Sequence, residues 1–180
     1  MTTDLHIPLL TDTYTKNQSA HRLSLIKELI NRWLFDNQPG QDLLAILDQY
    51  LKEADAILHK DDPEWLKAVI PLIRDQIDPK KNLPKQSVEL IKAVEKALST
   101  ERIISLYLPF EYNDEILKQY GLWFKTNVSK DCLIEPGSDP SLIGGCALAF
   151  NGIYHDYSIK AKIGENRSQI LKQLLSFKKE

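Results

Sequence analysis

The sequence predicts a mainly α protein with an α+β C-terminal part. An N-terminal helical bundle over residues 1–100 precedes a small α+β domain over residues 101–180 that ends in a helix. Three observations predict this class. Apolar residues recur at spacings of three and four from His21 to Thr100, the period of an amphipathic helix. From Arg102 the pattern turns to short β-branched and aromatic runs, two of them separated by Asn151-Gly152. The composition, 43% hydrophobic and 27% charged, is that of a folded globular chain.

The first helix is expected from Ala20 to Asp36, with Leu23, Ile26, Leu29, Ile30, Trp33 and Leu34 on one face. Asn37-Gln38-Pro39-Gly40 stops it. A second helix follows from Gln41 to His59, striped by Leu43, Leu47, Tyr50, Leu51, Ala54, Ile57 and Leu58. Asp62-Pro63 suits the cap and first position of a third, Trp65 to Ile77, in which Pro71 removes a backbone donor and predicts a kink or early break. A fourth runs from Lys85 to Leu98 through Val88, Ile91, Val94 and Leu98. Short-linked stripes of this kind bury one another in an antiparallel bundle. Residues 1–18 show no clean period and read as an extended docking segment or a frayed terminus.

Beyond Thr100, Arg102 to Leu108 is a strand that Pro109 ends, and Asn113 to Thr126 returns to helical spacing despite Gly121. Cys132-Leu133-Ile134 is a brief strand, and residues 136–140 form a dense turn. Ala147 to Phe150 and Ile153 to Ile159 pair as a hairpin about Asn151-Gly152, which calls for positive φ at both turn positions. Ile163 to Phe177 closes the chain as an amphipathic helix.

Several function classes are excluded or disfavoured. A net charge of -2 and a pI near 6.1 lack the basic footprint of general nucleic-acid binding. No apolar run reaches the length of a bilayer span, and no secretory leader is visible, so the chain reads as cytosolic. Cys132 and Cys146 are fourteen apart without a CxxC, so they read as ordinary thiols and no metal is expected. Gly144-Gly145 matches neither phosphate-binding fingerprint and reads as close backbone approach or positive φ before a strand. A hydrolase built on His155, Asp156 and Ser158 is disfavoured, because neighbours on a strand point to opposite faces. No catalytic residue and no cofactor are therefore expected.

The segment Asp139-Pro140-Ser141-Leu142-Ile143-Gly144-Gly145, followed by Asp156-Tyr157-Ser158 and a final helix, resembles the C-terminal signature of the delta subunit of F-type ATP synthases. That family is called the oligomycin-sensitivity-conferring protein in mitochondria. The resemblance covers residues 101–177, and the bundle reads as shortened, with four helices where the family has six. It implies a non-catalytic peripheral-stalk subunit of a rotary proton-translocating synthase, present in one copy. The C-terminal domain would grip the stalk b subunit, with Ile170, Leu171 and Leu174 as candidate contacts, and the bundle would hold N-terminal segments of alpha subunits. Neither nucleic acid nor direct membrane insertion is implied; the complex would place the chain on the cytoplasmic face of the energy-transducing membrane, as in bacterial-type synthases without a transit peptide. Asp139, Pro140, Leu142, Ile143, Gly144, Gly145, Asp156 and Ser158 are expected to serve turns, caps and the hairpin, since Asp and Ser side chains bond to backbone at such places. A helical adaptor of another multiprotein assembly is the alternative.

Overall fold

The computed structural model describes residues 6–35, 42–54, 56–78, 82–98 and 102–177. Its elements run α1 (His6–Leu10), α2 (Lys16–Phe35), α3 (Leu43–Glu53), α4 (Asp62–Arg74), α5 (Leu83–Leu98), β1 (Arg102–Leu108), α6 (Asp114–Asn127), β2 (Cys132–Ser138), a 3-10 turn (Pro140–Leu142), β3 (Ala147–Phe150), β4 (Ile153–Asp156), α7 (Ile159–Glu165) and α8 (Arg167–Phe177). The architecture is mainly helical with a small mixed sheet in the C-terminal part, the class that the change of apolar period predicts.

The helical stripes meet in one core. Leu25, Ile26, Leu29 and Ile30 of α2 pack with Leu43, Leu47 and Tyr50 of α3, Leu66, Ile70 and Ile73 of α4, and Val94 of α5. Each such aliphatic side chain contributes roughly 1.5–3 kcal/mol by leaving water. A second core lies under the sheet: Ile104, Leu106 and Leu108 of β1 pack with Ile134 of β2 and Phe124 of α6. Strand order is β2-β1-β3-β4, with β1 parallel to β2 and antiparallel to β3. β3 and β4 form the expected hairpin, and Asn151 (φ 51°) and Gly152 (φ 77°) both take the positive φ of its turn.

The structure corrects several expectations. The N-terminal segment is neither extended nor frayed over residues 6–18: it holds a fifth helix, α1, and buries Leu9, Leu10, Thr13 and Tyr14. Four helices before Thr100 were therefore one too few among the described residues. α2 begins at Lys16, four residues earlier than expected, because the Thr15 hydroxyl accepts the Gln18 N–H while the Gln18 side chain accepts the Tyr14 N–H. The stop at residues 37–40 lies outside the described residues.

α3 ends at Glu53 rather than His59, its next turn passing into a connection in which the Asp62 carboxylate accepts the His59 N–H. Pro71 does not break α4 at its own position: the helix starts at Asp62, three residues before the expected Trp65, and continues to Arg74, three residues short of the expected Ile77. The lost donor falls one turn from the end, where few further helical bonds depend on it. β2 extends to Ser138 through Pro136, which an edge strand tolerates because its outer side needs no ladder donor. The second hairpin strand ends at Asp156, since Ser158 caps α7 instead. The closing helix is two helices, α7 and α8, joined at Asn166, two residues after Gly164.

The outer side of β2 is not left open. Tyr14 and Thr15 lie along it: the Tyr14 carbonyl accepts the Ile134 N–H (2.9 Å), and Thr15 bridges Ile134 in parallel. Lys16 pairs with Glu135 at 2.6 Å, and the Lys125 ammonium donates to the Leu10 carbonyl at 2.6 Å. Gly121 of α6 is needed here: a Cβ on it would lie 2.6 Å from Tyr14 Cβ. The segment between α1 and α2 thus covers a sheet edge and ties bundle to sheet.

Candidate functional site

The Asp139–Ser158 region folds as a set of interlocking caps. Asp139 precedes the 3-10 turn; its Oδ1 accepts the Ser141 N–H (3.0 Å), and its own N–H donates to the Leu108 carbonyl (2.8 Å). Pro140 starts that turn with its fixed φ, and Leu142 is buried beneath it. The turn then ends at Ile143 with φ 68°, a sterically costly conformation for a β-branched residue, and the side chain is 68% exposed.

Gly144 and Gly145 bring the chain back against the start of α7. The Gly144 carbonyl accepts the Ile159 N–H, and the Cys146 carbonyl accepts the Tyr157 N–H, both at 2.9 Å. Gly145 has φ 80°, and a Cβ there would sit 2.4 Å from the Tyr157 carbonyl oxygen. Both physical reasons offered for a glycine pair, close approach and positive φ, therefore operate at Gly145.

Asp156 and Ser158 do the complementary work. Asp156 Oδ1 accepts the Ser158 N–H at 2.8 Å, and the Ser158 hydroxyl accepts the Ala161 N–H at 3.1 Å as the N-cap of α7. The Ser158 hydroxyl and then its amide hold the Asp156 carboxyl below its usual range. Ser158 is fully buried, whereas His155 is exposed on β4 and stacks on Tyr157 with ring centroids 6.1 Å apart. An Asp committed to a backbone amide and a buried, cap-bound Ser do not form an accessible nucleophile with His155. Cys132 is buried and Cys146 half-buried, and loss of hydration pushes both thiols up, away from the reactive thiolate.

Around these caps the surface is apolar and uncovered. Ile143, Ile153, Tyr154, Tyr157, Ile159 and Ile163 are all more than 45% exposed. Tyr154, more than half exposed, lies 6.5 Å from the Tyr107 ring in a tilted pair. On α8, Ile170 (37%), Leu171 (48%), Leu174 (60%) and Leu175 (62%) are exposed as well, and every residue of α8 whose side chain is described is exposed. Contiguous apolar exposure of this kind is uncommon on a folded monomeric chain. The spacing of Ile170, Leu171 and Leu174 gives the helix an apolar face, and the fold leaves that face without a core to cover it.

None of the described helices is long and apolar enough to cross a membrane. No family model matches this chain, and no curated protein is significantly similar to it.

Proposed function

We propose that this chain is a non-catalytic stator subunit of a rotary proton-translocating ATP synthase, joining the catalytic head to the stalk b subunit. The observation that carries the reading is the uncovered apolar face of α7 and α8 beside the hairpin, in a region whose Asp139, Gly145, Asp156 and Ser158 are occupied with caps and turns. A subunit that transmits torque needs broad packing from apolar anchors, with no reacting group of its own. Ile170, Leu171 and Leu174 would meet a helix of the b subunit, the helix-in-groove mode, and the bundle would take N-terminal alpha-subunit segments. The subunit would then sit peripherally on the membrane, on the cytoplasmic face, through its complex.

The test is affinity purification of the tagged chain from host membranes, with mass spectrometry of what is retained. Stalk b with alpha and beta subunits at fixed ratio is the expected result. Leu171→Asp with Leu174→Asp should abolish that retention and leave the isolated fold's stability within about 1 kcal/mol, since both side chains are already exposed. Recovery of a different assembly, with tags at either terminus, would refute the stator reading in favour of a helical adaptor.

A further inference from the structure

The fold gathers two histidines that are 38 residues apart in sequence. His21 on α2 and His59 in the connection before α4 stack with ring centroids 4.4 Å apart and planes 13° apart. Both lie beside Asp62, the first residue of α4, whose carboxylate is fully buried. The His21 Nε2 is 3.0 Å from Asp62 Oδ2, and one potential ligand atom from each of the three residues lies within 4.8 Å of the others.

Arg22, itself 1% exposed, donates from Nε to Asp62 Oδ1 at 3.2 Å and from Nη1 to the Thr13 hydroxyl at 2.7 Å. Asp62 therefore has its counter-charge without either imidazole. Arg22 on one oxygen and the His59 N–H at 2.9 Å on the other also fix the carboxylate's orientation, as outer partners of a metal-bound carboxylate do. The Oδ2 side faces His21 and the His59 backbone, and exposed His59 borders an open cleft with Tyr14, Asp61 and Lys118.

We propose that His21, His59 and Asp62 form a binding site for a divalent transition-metal ion of the Zn²⁺ class, with water completing the coordination. Imidazole nitrogen with one carboxylate is a donor set such ions accept, at about 2.0–2.2 Å per bond. Tetrahedral ligands at that distance are about 3.4 Å apart, so the cluster must contract. Stacked rings hold their in-plane lone pairs in near-parallel planes, so at least one ring must turn for both to reach one ion. His59, exposed on a connection, is the residue free to turn and converge on the ion. The nearby Arg22 charge opposes the cation, so affinity is micromolar and well short of that of a structural zinc site. Bound metal would pin α2 to the start of α4.

The experiment is titration calorimetry of the full chain, free of any polyhistidine tag, with zinc chloride in a weakly coordinating buffer. One ion per chain with a micromolar Kd is expected, together with a rise in Tm that EDTA reverses. His59→Ala removes an exposed side chain without touching the core and should weaken binding roughly tenfold or more, as should His21→Ala. His155→Ala, on the distant hairpin, serves as the control and should bind as the parent does. Absence of saturable binding, or parent-like affinity in His59→Ala or in His21→Ala, overturns the proposal.

Discussion

Replacing Gly145 by Ala isolates the physical demand that the Gly144-Gly145 turn makes on the fold. The residue has φ 80°, so an L side chain there costs about 1–2 kcal/mol from backbone sterics alone. Its Cβ would also lie 2.4 Å from the Tyr157 carbonyl oxygen and 3.1 Å from Ser158 Cα, both backbone atoms that cannot swing aside. Relief requires the turn to move off the α7 start, which breaks the Tyr157 N–H to Cys146 and Ile159 N–H to Gly144 bonds, each about 1 kcal/mol. The sum is about 3–4 kcal/mol. Two other glycines calibrate it. Gly152 has φ 77° but open space around its Cβ position, so Gly152→Ala should cost only the backbone part, about 1–2 kcal/mol. Gly164 lies in α7 with nothing near and no positive φ, so Gly164→Ala should stabilise by about 0.5–1 kcal/mol. Equilibrium urea unfolding of the three variants supplies the comparison. A Gly145→Ala loss no larger than that of Gly152→Ala would refute the close-approach argument.

Gly121→Ala should cost about 1–3 kcal/mol by driving Tyr14 off α6, read as a lowered urea midpoint while the helical circular dichroism of the bundle stays; an unchanged midpoint would show that the contact relaxes freely. Asp62→Ala leaves the Arg22 guanidinium buried without its partner and should lower stability by about 3–5 kcal/mol in the same assay. Burial, then the hydrogen bond to Glu28, push the Tyr50 hydroxyl up from 10.0 to about 12, so the folded state holds its proton more tightly than the unfolded chain. That contribution is whole below pH 10 and is lost as pH rises toward 12. Tyr50→Phe should therefore show a shallower fall of Tm over this window, and parallel profiles for the two proteins would count against the linkage.

The sequence by itself determined what depends on near neighbours. Helical stripes such as Leu43, Leu47 and Tyr50 announce which face is buried, because side-chain direction repeats every 3.6 residues wherever the helix sits. Asn151-Gly152 specified its hairpin for the same reason, as its positive φ values are a property of the turn itself. Thr15 and Gln18 carried a capping signal for α2 that apolar spacing alone overlooks. The tertiary structure decided what needs distant groups to meet. Residues 12–16 have no period of their own, and their order comes from the open edge of β2 and from the space over Gly121. Pro136 reads locally as a turn, yet β1 pairs along the whole of β2 and holds it extended. His21 and His59 are unrelated along the chain and become neighbours only when α2 packs beside the α3–α4 connection. The exposure of Ile170, Leu171 and Leu174 is likewise a tertiary outcome: an apolar stripe tells that a helix has a face to bury, and only packing tells whether this chain buries it.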